Sequence, residues 1–273
     1  MRTESWLERN HFLLRRLHSL TGIIPIGLFL IVHLTTNSSI AWGKLGLRGE
    51  HPGDGLVEGG VRYFHKEVVW INESVPHLFL VELVLWLSIA FHSILGIVYA
   101  MGGHRNVAAY PYMANWRYAI QRWSGYIGIL FIFYHVATLR WGWTFLVPGG
   151  TAWSHRFAAS SLASALRGGE DFTAAGLAVS LFYFVGVSLL VFHFANGLWT
   201  AAISWGLTVS RPSQRRWGYV CTALGAGLML AAWSSVVGFA TLSPSRAQVV
   251  ELEGGKLPMD PSASVGAGAQ EME

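Results

Sequence analysis

Cysteine is almost missing, with Cys221 the one thiol in 273 residues. That excludes a disulfide framework, a thiolate-held iron–sulfur cluster and covalent haem attachment through Cys-x-x-Cys-His. Charge is scarce as well. Charged residues make up 12% of the chain and hydrophobic ones 52%, against roughly 25% charged in soluble domains. The charges are unevenly placed, which leaves several long runs almost free of them. This pattern excludes a soluble globular enzyme and a disordered chain, and it indicates an integral membrane protein. Histidine is the unexpected abundance, with eleven in so apolar a sequence.

Five apolar stretches can cross a hydrocarbon layer of about 30 Å, at roughly 17–41, 77–101, 121–147, 173–207 and 217–241. Backbone groups in lipid must be paired within the element, so the expected fold is an all-α bundle of five transmembrane helices. Trp42, Trp123, Trp141, Trp143, Trp205 and Trp217 lie near the proposed ends, where indole favours the interface. Pro76, Pro111, Pro148 and Pro212 mark turns or short loops, and Pro25 should kink the first span. That span is too long for a signal-peptide core, and Thr35–Ser39 is a poor cleavage site, so it is read as retained.

An odd number of crossings puts the termini on opposite sides. The arginines of the N-terminal side (Arg15, Arg16, Arg122, Arg215 and Arg216 among them) crowd into short segments beside helix ends. The cations of the other side are spread over two long loops and a tail. Positive-inside bias counts short segments, so the N-terminus is read as cytoplasmic, in a multi-pass chain of the cell's inner membrane. Residues 42–76 read as a polar, Gly-rich loop and 148–172 as another of the same kind. The membrane domain is expected over 1–242, followed by a disordered acidic tail over 243–273.

His33, His92, His135 and His193 each lie well inside a different span, in the first four of the five. Ionisable side chains at such depth are rare and imply function, and neutral imidazole is a standard ligand for haem iron. Helix rise of about 1.5 Å per residue gives their depths. His33 is four residues from Asn37 and His135 five from Arg140, so both lie near the outer edge. His92 is 15 residues from His77 and His193 is 22 from Asp171, so both lie deeper. The four therefore divide into an outer pair, His33 with His135, and an inner pair, His92 with His193. Two bis-histidine layers stacked across the membrane are what electron transfer between two haems requires.

Small residues share the ligand faces. Gly96 and Gly197 follow His92 and His193 by four residues, Gly128 and Gly186 precede His135 and His193 by seven, and Gly22 precedes His33 by eleven. Such offsets return to one helix face, where a flat porphyrin needs room. Ordinary helix packing is the competing reading for any one of them. Arg16, Ser19 and Arg122 are placed to receive anionic propionates on the inner side, with Arg15, His18 and Gln121 nearby, and snorkelling to lipid headgroups is the competing reading for any one arginine. His18 and His104 read as interfacial rather than as ligands. A single membrane histidine can merely bond across helices, but four, one per span and paired by depth, argue against that.

These residues match a known pattern. Arg15-Arg16-Leu17-His18-Ser19-Leu20, Gly22, Pro25, Gly27 and His33 open it, and Asn115-Trp116, Gln121-Arg122, Gly125 and His135-Val136 continue it. Phe182-Tyr183, Gly186, Phe192-His193-Phe194 and Asn196-Gly197-Leu198-Trp199 are the most specific part, and Trp205-Gly206 and Ser213-Gln214-Arg215 close it. Over roughly 10–241 the chain resembles the cytochrome b membrane anchor of succinate:quinone oxidoreductases, in the single-chain, five-helix, two-haem form of Bacillus-type succinate dehydrogenases. The match around His92 is thin, little beyond the histidine and Gly96.

The resemblance implies two b haems, with His92 and His193 on the one nearer the cytoplasm and His33 and His135 on the distal one. It implies a flavoprotein and an iron–sulfur subunit docked on the cationic face, electrons passed to a quinone (menaquinone), and no catalysis by this chain alone. Higher oligomers of the complex stay open, and no nucleic-acid partner is expected. Val191 stands where some fumarate-reductase relatives carry a glutamate for transmembrane proton movement, so that route is not implied. Glu67, Glu73 and Glu82 are weak proton-carrier candidates. Two rival readings remain, a bis-histidine cytochrome b of a hydrogenase or formate dehydrogenase, and a haem-free anchor or transporter.

Overall fold

The computed structural model describes residues 6–46, 55–102 and 113–254. The expectations for His104 and for the tail beyond residue 254 fall outside them. Every regular element among the described residues is helical. A short α1 (Trp6–Arg9) and α2 (His11–Ile23) lead to α3 (Ile26–Gly46). The break between α2 and α3 falls at Pro25, which lacks the N–H that would continue the helix. There follow α4 (Leu56–Ser74), α5 (Leu78–Met101), α6 (Met113–Leu139), α7 (Ala158–Arg167), α8 (Ala174–Ser204), α9 (Arg211–Thr241) and α10 (Pro244–Gly254).

Four helical stretches are long and apolar enough to cross a membrane: His11–Gly43, Leu78–Met101, Ala174–Ser204 and Arg211–Thr241. They coincide with expected spans one, two, four and five. The expected span at 121–147 corresponds to α6, of 27 residues, which starts earlier and stops at Leu139. Its N-terminal half is polar, with Asn115, Arg117, Gln121 and Arg122. Beyond its end, Gly142 turns left-handed at φ +70° and short 3-10 turns follow, so residues 140–147 are not helical span. Pro212, expected in a loop, sits instead in the first turn of α9, where Ser210 Oγ accepts the Ser213 N–H. Proline is well suited to that turn because its absent donor would be unpaired anyway.

The spans pack as α8 along α9, α6 along α8, α3 along α9 and α2 along α5 and α8. Two of the glycines expected to face a porphyrin serve this packing. A Cβ on Gly128 would meet Leu190, and one on Gly186 would meet the Phe131 ring.

The two expected loops and the start of the tail are corrected by a helical cap at one end of the bundle. In α4, Val61, Phe64 and Val68 recur at helical spacing and are buried. It crosses α3 closely, where a Cβ on Gly60 would strike the Ile40 carbonyl and one on Gly43 the Tyr63 ring. The second loop contains α7, and residues 244–254 form α10 with Ala247 and Val250 buried against it and α4. Val61, Phe64, Leu162, Leu166, Phe239 and Val250 belong to one apolar cluster, which pays for ordering these otherwise polar segments.

Candidate functional site

Helices α3, α5, α6 and α8 each bring one intramembrane histidine to the bundle interior. The rings of His33 and His135 stand 5.7 Å apart between centroids, and those of His92 and His193 stand 6.1 Å apart. The two pairs are those expected from depth along the helices.

Each inner histidine is held through Nδ1. His92 Nδ1 lies 2.8 Å from the His18 carbonyl oxygen. His193 Nδ1 lies 3.0 Å from the Gln121 carbonyl oxygen and 3.1 Å from Ser124 Oγ. A carbonyl only accepts, so Nδ1 carries the proton in both rings and the lone pair is left on Nε2. That is the tautomer of a metal-ligating imidazole whose other nitrogen donates to a backbone carbonyl. The outer pair is held more loosely. Asn37 Nδ2 is 3.5 Å from both ring nitrogens of His33, and His135 Nδ1 is buried without a partner.

Among the described residues, no three His, Cys, Asp or Glu side chains gather to hold a bare metal ion. The donor set suits a planar tetrapyrrole, which brings four nitrogens of its own and asks the protein for two axial ligands. Metal–imidazole bonds of about 2 Å, as at zinc, put two rings sharing one metal roughly 6 Å apart between centroids. The inner pair, at 6.1 Å, lies near that separation, and the outer pair, at 5.7 Å, is somewhat closer. A Cβ on Gly22 would lie 2.5 Å from His92 Cε1, and one on Gly125 would lie 3.1 Å from His193 Cε1, so both glycines leave space beside a ring.

The expected propionate partners lie at the end of the bundle away from the cap. Ser19 Oγ accepts Trp205 Nε1–H, just past the end of α8, at 2.9 Å and donates to the Arg16 carbonyl. The Arg16 guanidinium covers the Phe12 ring at 4.1 Å. Arg122 covers Tyr118 at 4.4 Å and donates to the Tyr99 carbonyl of α5 at 3.4 Å. Arg16 and Arg122 thus rest on aromatic faces rather than against one another.

The reading of His18 as interfacial is corrected. Its ring stacks on His92 with centroids 4.0 Å apart and planes 10° apart, and its Nδ1 is buried without a partner. A place at the edge of the first span reads as interfacial, and the approach of α5 encloses the ring. Ser124 and Asn196 also belong to the inner site. Among the weak acid candidates, Glu82 is engaged by Arg140 through two 3.0 Å bonds. Glu67 keeps one carboxylate oxygen buried without a partner, and burial raises its carboxyl above the ordinary range.

No family model and no solved structure matches this chain. A curated relative does: the succinate dehydrogenase cytochrome b558 subunit of Bacillus subtilis (strain 168) is 31% identical over 229 residues. The match covers 84% of this chain and 96% of that protein. By that likeness the chain belongs to the family of succinate dehydrogenase cytochrome b membrane subunits.

Proposed function

We propose that this chain anchors a succinate dehydrogenase in the inner membrane and relays its electrons to a quinone, with menaquinone as the acceptor. In this reading α6 is the fifth crossing, the N-terminus is cytoplasmic, and a flavoprotein and an iron–sulfur subunit dock on the arginine-rich inner end. His92 with His193 would hold one b haem, and His33 with His135 a second. Bound there, the two irons would supply one-electron carriers in series across the membrane.

The residues around them have separate tasks. The carbonyls of His18 and Gln121 fix the ring tautomers at the inner pair, as described above. Arg16, Ser19 and Arg122 offer positive charge and a hydroxyl to propionates where the helices leave the membrane. The apolar walls of α3, α6 and α8 would keep water from both histidine pairs. No catalysis by the isolated chain is expected.

The observation that carries the reading is the inner pair, two imidazoles 6.1 Å apart with both Nδ1 atoms committed to carbonyl or hydroxyl partners. The test is a pyridine haemochrome assay on the purified complex with each histidine replaced in turn by alanine. His33→Ala and His135→Ala should each lose one haem of two, and His92→Ala and His193→Ala should each lose the other. Full haem content in all four variants would reject the assignment.

A further inference from the structure

Arg117 reaches His193 through two side-chain amides. On α6 its Nε and Nη2 donate to Asn196 Oδ1 at 3.1 and 2.6 Å, while its guanidinium lies 4.2 Å over the Trp199 ring. Asn196, 6% exposed, donates through Nδ2 to Gln121 Oε1 at 2.8 Å. Gln121 in turn donates through Nε2 to the His193 carbonyl at 3.1 Å. Its own backbone carbonyl receives His193 Nδ1 at 3.0 Å. Gln121 therefore grips His193 at both ends, by carbonyl and by ring.

We infer that Arg117, acting through Asn196 and Gln121, is a positioning residue that orients the His193 imidazole and raises the reduction potential of the haem held there. The inference rests on the haem reading given above. Its physical basis is the direction of the chain. Each amide turns its oxygen toward the guanidinium and its N–H toward His193, so both dipoles carry the positive end inward. Arginine stays charged at any working pH. Among the described residues Arg117 makes no ion pair that would cancel it. Oxidised haem iron carries one more positive charge than reduced iron. A fixed positive potential at its ligand therefore favours the reduced form. Simple helix-to-helix adhesion by the same bonds would affect stability and leave the potential alone.

The experiment uses the intact membrane complex and follows both b haems by redox titration and by the low-spin ferric EPR signals. The haem that disappears in His193→Ala identifies the signal to watch. Arg117→Gln and Asn196→Leu should lower the potential of that haem and shift its EPR signal, with the second haem unmoved. Arg117→Lys keeps the charge and should hold the potential near the parent's. Asn196→Asp has the same size and keeps the Arg117 contact but brings a negative charge, so it should lower the potential of the same haem. That last variant decides the matter if Arg117→Gln does not assemble. Unchanged potentials and spectra in Asn196→Asp and Asn196→Leu, or equal shifts in both haems, would overturn the inference. A parent complex with no b-haem bands would instead defeat the haem reading itself.

Discussion

A methyl group at Gly22 would sit 2.5 Å from Cε1 and 2.9 Å from Nδ1 of His92. That ring cannot retreat, because its Nδ1 is tied to the His18 carbonyl at 2.8 Å and its face is covered by the His18 ring. Gly128 is different. Its methyl group would meet only Cδ2 of Leu190, the far end of a flexible side chain. Overpacking typically costs about 1–3 kcal/mol, and here the cost falls on a ligand in one case and on a movable methyl in the other. Gly22→Ala is therefore expected to reduce haem content toward that of His92→Ala. Gly128→Ala should retain the parent content in the same haemochrome assay. Equal haem content in both variants would contradict the special role of Gly22.

Among the elements, α7 and α10 stabilise each other through their ends. Glu251 of α10 accepts the Ala159 N–H at 2.7 Å and the Ser160 hydroxyl at 2.5 Å, at the start of α7. Glu170, just past the end of α7, accepts the Ser245 N–H at 3.0 Å and the hydroxyls of Ser243 and Ser245 at the start of α10. Each carboxylate meets the unpaired N–H groups and positive pole of the other helix. Glu251→Ala leaves buried donors unpaired, at about 1–3 kcal/mol, and should release α10 to limited proteolysis. The carboxyl of Glu251 is raised above its ordinary range, chiefly by burial. A raised folded-state value means its contribution is full below the ordinary carboxylate range and is lost as pH rises through the raised one. Proteolysis of the segment, measured across that window, should therefore accelerate with pH in the parent more than in Glu251→Gln. His65, 3.9 Å from Glu251 and lowered by burial, acts in the opposite sense, so both chains are compared with His65→Gln also in place, which removes its titration. An identical pH response in the two would refute the linkage.

Taken as a whole, the molecule is a lipid-facing bundle closed at one end by a cap. Arg246 pairs with Glu58, and Arg62 with Glu253 at 3.6 Å, which joins α10 to α4. The Glu82–Arg140 pair joins the start of α5 to the end of α6, but its side chains are 30% and 61% exposed. Exposed pairs contribute about 0–1 kcal/mol, whereas removal of α10 takes Ala247 and Val250 out of the apolar cluster they share with Val61, Phe64 and Leu166. Deleting residues 244–273 should lower the Tm of the purified complex by clearly more than Glu82→Gln does. A larger effect from Glu82→Gln would show that the α5–α6 tie, and not the cap, governs stability.

Much of this was legible in the residues themselves, and the exceptions have physical causes. Apolar length alone marks four of the crossings, because lipid offers no partner for a bare backbone and forces each long run into a helix. Constant helix rise then converts sequence distance into depth, which separates His33 and His135 from His92 and His193 without knowledge of the packing. The Gly-rich flanks and acids of α4 resemble a loop, although Val61, Phe64 and Val68 carry helical spacing. Which glycine faces a ring and which faces Leu190 or Phe131 depends on the rotation of each helix about its axis. The same holds for the stacking of His18 on His92, the chain from Arg117 to His193 and the clasp of Glu251 on α7. Those contacts join residues far apart in sequence, and only side-chain packing between neighbouring helices sets the rotations that make them.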